Sequence, residues 1–250
     1  MGRELLSVVV TTFNSAGTLD ACLRGVAWAD EIVVLDSGST DATTAIAAHY
    51  GARIHTQPFA GYSVQKQAAI DLASHRWVLL LDSDESLDAD AATRLRQALL
   101  APTHAGYQLW RREWQFWRWQ SRRGRLNHYV RLFDRQRARM SGHEVHEEVL
   151  VDGPVGALDV VIDHYGEPDI AGRVAKANRY SSLQLTDLAK RKVGWLRLRM
   201  VAYPAVAFLR YYVLRGHWRS GWAGFIAARI HAFYAFLKYA KLYERQRPRD

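Results

Sequence analysis

Trp77-Val78-Leu79-Leu80-Leu81-Asp82-Ser83-Asp84-Glu85 is a continuous apolar run that stops abruptly on acids. An uninterrupted aliphatic run of this length, bounded by polar residues, suits a parallel strand buried on both faces. Ser7–Thr12 (SVVVTT) and Glu31–Asp36 (EIVVLD) read the same way, and Arg53–Thr56 adds a fourth strand. Helical patterns lie between them, over Gly17–Val26, Asp41–Tyr50 closed by Gly51, and Gly61–Ser74. This alternation predicts βαβ units and an α/β fold with a mostly parallel central sheet flanked by helices. Right-handed crossovers then set the loops after the strands along one edge, where such sheets hold ligands.

The pattern changes from about Ala105. Tyr107–Arg111 and Tyr129–Phe133 read as strands around an Arg/Trp-rich stretch, Arg111 to Arg125. Val149–Val161 (VLVDGPVGALDVV) reads as a hairpin with a Gly-Pro turn. From Ile170 the chain is helical, with Pro168 just before it and Pro204 as an expected break. A boundary near residue 170 divides a domain of residues 1–170 from a helical region of residues 171–250. Charge divides at nearly the same place. Residues 1–171 carry 17 basic and 22 acidic side chains, a net of −5, and residues 172–250 carry 17 and 3, a net of +14.

The whole chain of 250 residues, 49% hydrophobic and at +9, is long enough for a real core and too apolar for disorder. Cys22 is its one cysteine, so an intrachain disulfide is excluded, and no Cys/His cluster has zinc-site spacing. Met1-Gly2-Arg3-Glu4 leads straight into an apolar strand, without the parts of a signal peptide. Leu6 stands where a myristoylation signal needs Ser or Thr. No run reaches the roughly 18 apolar residues of a membrane span; the best, Met200 to Leu209, is ten residues long between two arginines. A cytoplasmic location is expected. The positive balance suggests an anionic partner.

Asp82 and Asp84 stand two residues apart at a strand end, where extended backbone points both carboxylates the same way. Mg²⁺ or Mn²⁺ takes one or two carboxylates and completes its shell with water and phosphate oxygens, so this pattern suits a diphosphate–metal site. A solvated turn with Asp84 or Glu85 near a helix N-terminus is the plainer alternative. Helix capping accounts for Asp41 but not for Asp36, which ends its strand where these folds hold a base or ribose. The first strand likewise ends in Thr11-Thr12-Phe13-Asn14. Three polar strand ends on one edge predict one site.

SVVVTTFN, EIVVLDSGSTD, GARIHTQPFAGYSVQKQAAI and WVLLLDSDE together resemble the family 2 glycosyltransferases and their Rossmann-like GT-A fold. VHEEVLVDGPVG, DHYG and KANRYSSL are similar to the lipopolysaccharide-core subgroup, the WaaE/KdtX-type glucosyltransferases. The resemblance implies a metal-dependent, inverting transfer of a sugar, glucose first among them, from a UDP-linked donor to a lipid-anchored saccharide. It puts Thr11, Thr12 and Asn14 by the base and ribose and Asp36 on the base or ribose. Ser37 and Gly38 would shape the loop beneath, with Gln65 and Lys66 near the nucleotide. Asp82 would meet ribose or metal, and Asp84 the metal. Inversion also needs a base for the acceptor hydroxyl. Glu144, Glu147 and Glu148 are the candidates; the subgroup's His-Glu pair aligns with His146 and Glu147, which selects Glu147.

Trp110, Arg112 and Arg131 are weaker acceptor-side candidates, since sugars stack on rings and arginine forks bind phosphate. The Arg111–Arg125 stretch is expected to serve as a mobile lid excluding water, with a membrane-adsorbing loop or a half-buried hairpin as the equal alternative. In the tail, Trp222, Ile226, Ile230, Phe233, Leu237 and Ala240 form one apolar helical stripe, with His231 and Lys238 opposite. A basic, aromatic, amphipathic helix too short to span predicts peripheral attachment to an anionic cytoplasmic membrane face. A polyprenyl-phosphate glycosyltransferase is the neighbouring alternative. A nucleic-acid-binding protein is the alternative of another class, and it is disfavoured because the basic residues concentrate in the apolar tail; no nucleic acid partner is expected.

Overall fold

The structure, a computed structural model, describes residues 2–88, 90–142, 147–185, 188 and 194–247. The chain forms two compact units, Met1–Arg111 with Asn127–Tyr165, and Arg112–Leu126 with Gly166–Asp250. The break falls a few residues before the sequence boundary, and the Arg/Trp stretch belongs to the second unit.

In the first unit, β1 (Leu6–Thr12), β2 (Glu31–Asp36), β3 (Arg53–Thr56) and β4 (Trp77–Asp82) run parallel in the order β3-β2-β1-β4. β8 (Asn127–Asp134) joins β4 antiparallel, and the sheet continues through β6 (Gly106–Gln115) and β11 (Val155–His164) to β5 (Glu85–Leu87). Helices α1 (Leu19–Val26), α2 (Thr43–His49), α3 (Tyr62–Asp71) and α4 (Ala91–Ala98) complete the α/β arrangement that the GT-A resemblance implies. Two cores explain the continuous apolar runs. Val8, Val10, Leu79 and Leu81 pack with Leu19, Leu23 and Val26 of α1 on one face, while Val9, Val78 and Leu80 pack with Ala69 and Ile70 of α3 on the other. Successive strand residues therefore enter opposite layers, and neither face is free to be polar.

The expected hairpin over Val149–Val161 is not one. β10 (Val149–Val151) pairs antiparallel with β9 (Ala138–Met140), whereas β11 enters the main sheet beside β5. Asp152-Gly153-Pro154 thus links two sheets, and Gly153, at φ +132°, supplies a conformation other residues rarely adopt. The apolar pattern marked both strands correctly but carries no information about which neighbour each one pairs with.

The second unit contains α5 (Ile170–Leu183), α6 (Leu196–Leu209), a π-helical turn over Arg210–Leu214, a 3₁₀ turn over His217–Ser220, and α7 (Gly221–Arg245). Asp169 caps α5 by accepting from Gly172 N at 2.7 Å. Pro204 does not break the helix: α6 runs through it, since proline removes only its own bond to the preceding turn while the flanking bonds persist. α6 and α7 pack antiparallel, with Leu196 near Leu242, Tyr203 on Tyr239 and Phe208 on Phe225. α7 buries its small residues, Ala223, Ala227, Ala228, Ala232 and Ala235, and Gly224 lies where a β-carbon would collide with the His217 carbonyl. Of the large residues in the predicted stripe, Trp222 and Phe233 are exposed and Ile226, Ile230 and Leu237 half-buried.

The Arg/Trp stretch is a pinned hairpin rather than a lid. β7 (Arg118–Trp119) folds back on the end of β6, setting Trp114 edge-on to Trp119 at 5.0 Å. Gln115 Nε2 meets His217 Nδ1 at 2.9 Å, Ser121 N donates to Ser220 Oγ at 3.1 Å, and Arg125 N donates to the Arg215 carbonyl at 2.9 Å. Gln115 and Gln120 are buried, and opening the hairpin would give up the bonds from Gln115 to His217 and from Ser121 to Ser220. Among the described residues, no helix is long and apolar enough to cross a membrane.

Candidate active site

Strand register brings the polar strand ends together. Thr12 stands opposite Asp36 and Thr11 opposite Asp82, all at the carboxyl edge of the parallel strands. There Asp36 turns inward. Its Oδ2 accepts from Gly38 N at 3.0 Å and Ser39 N at 2.8 Å, and Ser39 Oγ donates to its Oδ1. Gly38 at φ +94° lets the chain wrap around that carboxylate. Asn14 acts alike: Thr40 N donates to its Oδ1 at 2.9 Å, and its own N–H donates to Ser39 Oγ at 2.8 Å. Both residues shape the loop between β2 and α2. Gln65 Nε2 bonds Ser37 Oγ at 3.2 Å and so ties α3 to the same loop.

Beside this loop lies a chain of charges. Lys66, 6% exposed on α3, puts Nζ 2.8 Å from Asp82 Oδ1 and 3.0 Å from Glu147 Oε1. Burial pushes the ammonium down, but the Asp82 and Glu147 carboxylates outweigh it and raise the group above its ordinary range. Burial pushes Asp82 up, and Lys66 and Arg131 hold it far below the usual carboxylate range. Arg131 Nη2 lies 3.2 Å from Asp82 Oδ2 and 2.6 Å from Glu85 Oε1. Glu85 is fully buried, receives Asp82 N at 3.1 Å and has Arg111 Nη1 at 3.5 Å. Each oxygen of Asp82 therefore meets a cation.

Asp84 differs. Its Oδ2 lies 3.2 Å from His164 Nε2, and Tyr165 N donates to its carbonyl at 2.9 Å, so the end of β11 meets the turn after β4. Burial pushes the Asp84 carboxyl up, and the hydrogen bond to His164 more than offsets this, leaving it below the ordinary range. Among the described residues, no three His, Cys, Asp or Glu side chains form a metal cluster. Asp84 and His164 offer one oxygen and one nitrogen donor, a partial set that a diphosphate would complete. The Thr12 hydroxyl and Arg131 Nε are buried without a hydrogen-bond partner among the described residues.

One face of α3 meets Met140, Gly142 and Glu147. Ser63 Oγ accepts from Gly142 N at 2.9 Å, Gln67 Oε1 accepts from Met140 N at 2.8 Å, and Lys66 stands between them in sequence. Glu148 is exposed and donates its N–H to Ser141 Oγ at 3.1 Å. His146 and Glu144 lie outside the described residues. Of the acceptor-side candidates, Arg131 is buried and committed to Asp82 and Glu85, so the structure makes it internal to the site. Trp110 packs edge-on to His128 at 5.3 Å, and Arg112 lies over the Trp119 ring at 4.9 Å within the hairpin. Glu85, in the plainer alternative part of a solvated turn, is instead fully buried on Arg131, and the sequence assigned no role to His164. DHYG had singled out His164 as part of a motif, without any sign that it faces Asp84.

Comparison with known proteins adds four findings. The family model described as glycosyl transferase family 2 matches residues 7–150. The chain is 31% identical over 249 residues to the lipopolysaccharide core biosynthesis glycosyltransferase LpsC of Rhizobium meliloti (strain 1021), covering 96% of this chain and 92% of that one. It is 28% identical over 255 residues to an uncharacterized glycosyltransferase of Rickettsia felis, covering 96% and 90%. A crystal structure of glucosyl-3-phosphoglycerate synthase from Mycobacterium tuberculosis with Mn²⁺, UDP and glucosyl-3-phosphoglycerate is similar at a TM-score of 0.36 and 25% identity, over 44% of each chain.

Proposed function

The chain belongs to glycosyl transferase family 2, and from that premise we propose that it is an inverting enzyme of lipopolysaccharide-core assembly. In this reading it moves a sugar, glucose first among the candidates, from a UDP-linked donor to a hydroxyl of a lipid-anchored core saccharide. It works at the inner face of the cytoplasmic membrane, attached through its basic helical unit. The observation that carries the reading is Lys66, a buried ammonium at 2.8 Å from Asp82 and 3.0 Å from Glu147. It joins an acid at the donor edge of the sheet to a carboxylate that is only partly buried.

Glu147 takes the proton from the acceptor hydroxyl as that oxygen attacks the anomeric carbon. The bond from the anomeric carbon to the diphosphate breaks on the opposite side, and its electron pair leaves with the diphosphate. Lys66 keeps Glu147 aimed, which matters because a small misplacement of a base lowers the rate steeply. Thr12, Ser37 and the loop wrapped on Asp36 form the floor for base and ribose. Asp84 and His164 would hold Mg²⁺ or Mn²⁺, whose Lewis acidity neutralises the charge developing on the diphosphate.

Titration of the purified chain with UDP, with and without Mn²⁺, tests the donor half of this proposal. The expected outcome is tighter binding with Mn²⁺, an advantage lost in Asp84→Ala. Equal affinity in the variant, with its metal dependence intact, would remove Asp84 as a ligand.

A further inference from the structure

The exposed face of α6 has the wrong chemistry for a surface in contact with water. Leu198, Val201, Ala202, Ala205, Val206 and Leu209 are all exposed, Val201 at 74%. No charged residue occurs between Arg199 and Arg210, and no Asp or Glu between Asp187 and Glu244. The uncharged stretch of ten residues extends about 15 Å as a helix, half the thickness of a bilayer's hydrocarbon core. Contiguous exposed apolar faces of this kind mark interaction surfaces.

We infer that this face of α6 lies in the interfacial region of an anionic bilayer, with Arg197, Arg199 and Arg210 reaching headgroup phosphates at its two ends. The inference rests on the membrane attachment proposed above and names the element that makes it, which differs from the α7 stripe expected from sequence. Three observations select lipid as the occupant. The cations stand at both ends of the apolar stretch and nowhere within it, which matches a layer whose charge lies above its hydrocarbon. Trp195, Trp218 and Trp222, each at least half exposed, flank the helices at their ends, and tryptophan concentrates at the membrane–water boundary. The length suits a helix lying in the interface and is too short for one crossing it.

Sedimentation of the full chain with vesicles tests this. Binding is expected to vesicles of phosphatidylglycerol with phosphatidylcholine and to be much weaker to phosphatidylcholine alone. Val201→Asp combined with Val206→Asp should lower the partition coefficient at least tenfold. Arg199→Gln and Arg210→Gln should each lower it about fivefold on anionic vesicles, since each surface basic residue is worth roughly one kcal/mol. Helical circular dichroism and UDP affinity should stay at the parental level in all three. A parental chain that fails to bind any vesicle would overturn membrane attachment altogether, leaving the transfer reaction untouched. Parental binding with undiminished binding by the double Asp variant would overturn the role of α6 alone. A parental dimer in solution that the Asp substitutions dissociate would also overturn it, because the face would then serve a second copy of the chain.

Discussion

The two units bury opposite kinds of residue. In the sheet unit the long aliphatic side chains are inside, with Val8, Val9, Leu79 and Leu81 fully buried, and the parallel strands β1 and β2 end on the polar Thr12 and Asp36. In the helical unit the alanines of α7 are inside, while Leu198, Val201, Val206 and Leu209 of α6 face outward. Burying a Val or Leu side chain fully contributes roughly 1.5–3 kcal/mol, and an alanine methyl far less. The sheet unit thus gains stability from its pattern. The helical unit leaves Leu198, Val201, Val206 and Leu209 exposed, and the proposed lipid surface is where they would leave water. A hydrophobic pattern shows which residues leave water, but not whether protein or lipid receives them.

The sharpest way to break this comparison is at the polar site of the sheet unit, which should carry chemistry rather than stability. Glu147→Gln is expected to lower the transfer rate by about 10²–10⁴-fold, the usual worth of a positioned base, while UDP binding and the unfolding midpoint remain parental. Substantial remaining transfer would move the base to Glu148 or Glu144. Inside the sheet the effect should be on stability instead. Leu79→Ala, fully buried between β1 and α1, should cost about 2–5 kcal/mol in urea unfolding.

The helical unit has a buried titratable group of its own. His217 is buried against Gln115 and stacked on Tyr211 at 4.0 Å. Burial, helped by the Arg215 charge, pulls its imidazole down from 6.5 to about 4. Below pH 6.5 the unfolded chain accepts a proton that the folded chain refuses. The contribution is therefore complete above pH 6.5 and is lost as the pH falls through 4, by roughly 3 kcal/mol in all. Urea midpoints from pH 7 to 4.5 should fall less steeply in His217→Gln than in the parent; parallel curves would remove His217 as the cause. The smallest effect belongs to the outward face. Leu209→Ala should change stability in solution by no more than about 0.5 kcal/mol, and a loss near that of Leu79→Ala would mean that α6 is covered by protein.

Much of the sheet unit was legible because its information is local. Runs such as SVVVTT and WVLLLD announce strands buried on both faces, and the acids that end them follow from the same segments. Contacts across the chain were not legible. Glu147 and Lys66 are 81 positions apart, and Asp84 and His164 are 80 apart, so no periodicity links them. Asp36 was read as facing a ligand; in the structure its carboxylate is occupied by Gly38 and Ser39, a use that depends on the φ of one glycine. The stripe on α7 followed from helical spacing, yet the close approach at Gly224 turned the alanine face inward. Val149–Val151 was visible as a strand and its partner was not, because pairing is chosen by the rest of the sheet.

By itself, the sequence determined the α/β class, the edge of the sheet on which the polar strand ends collect, and the concentration of positive charge in the last third of the chain. Those features depend on residue type and on spacing within one element, where backbone geometry leaves few choices. Only the tertiary structure decided that Lys66 bridges Asp82 and Glu147, that His164 joins Asp84, that the Arg/Trp stretch is a pinned hairpin, and which face of α6 meets solvent. These depend on which distant segments pack together, and packing responds to shape, small residues and paired charges that leave no period in the chain.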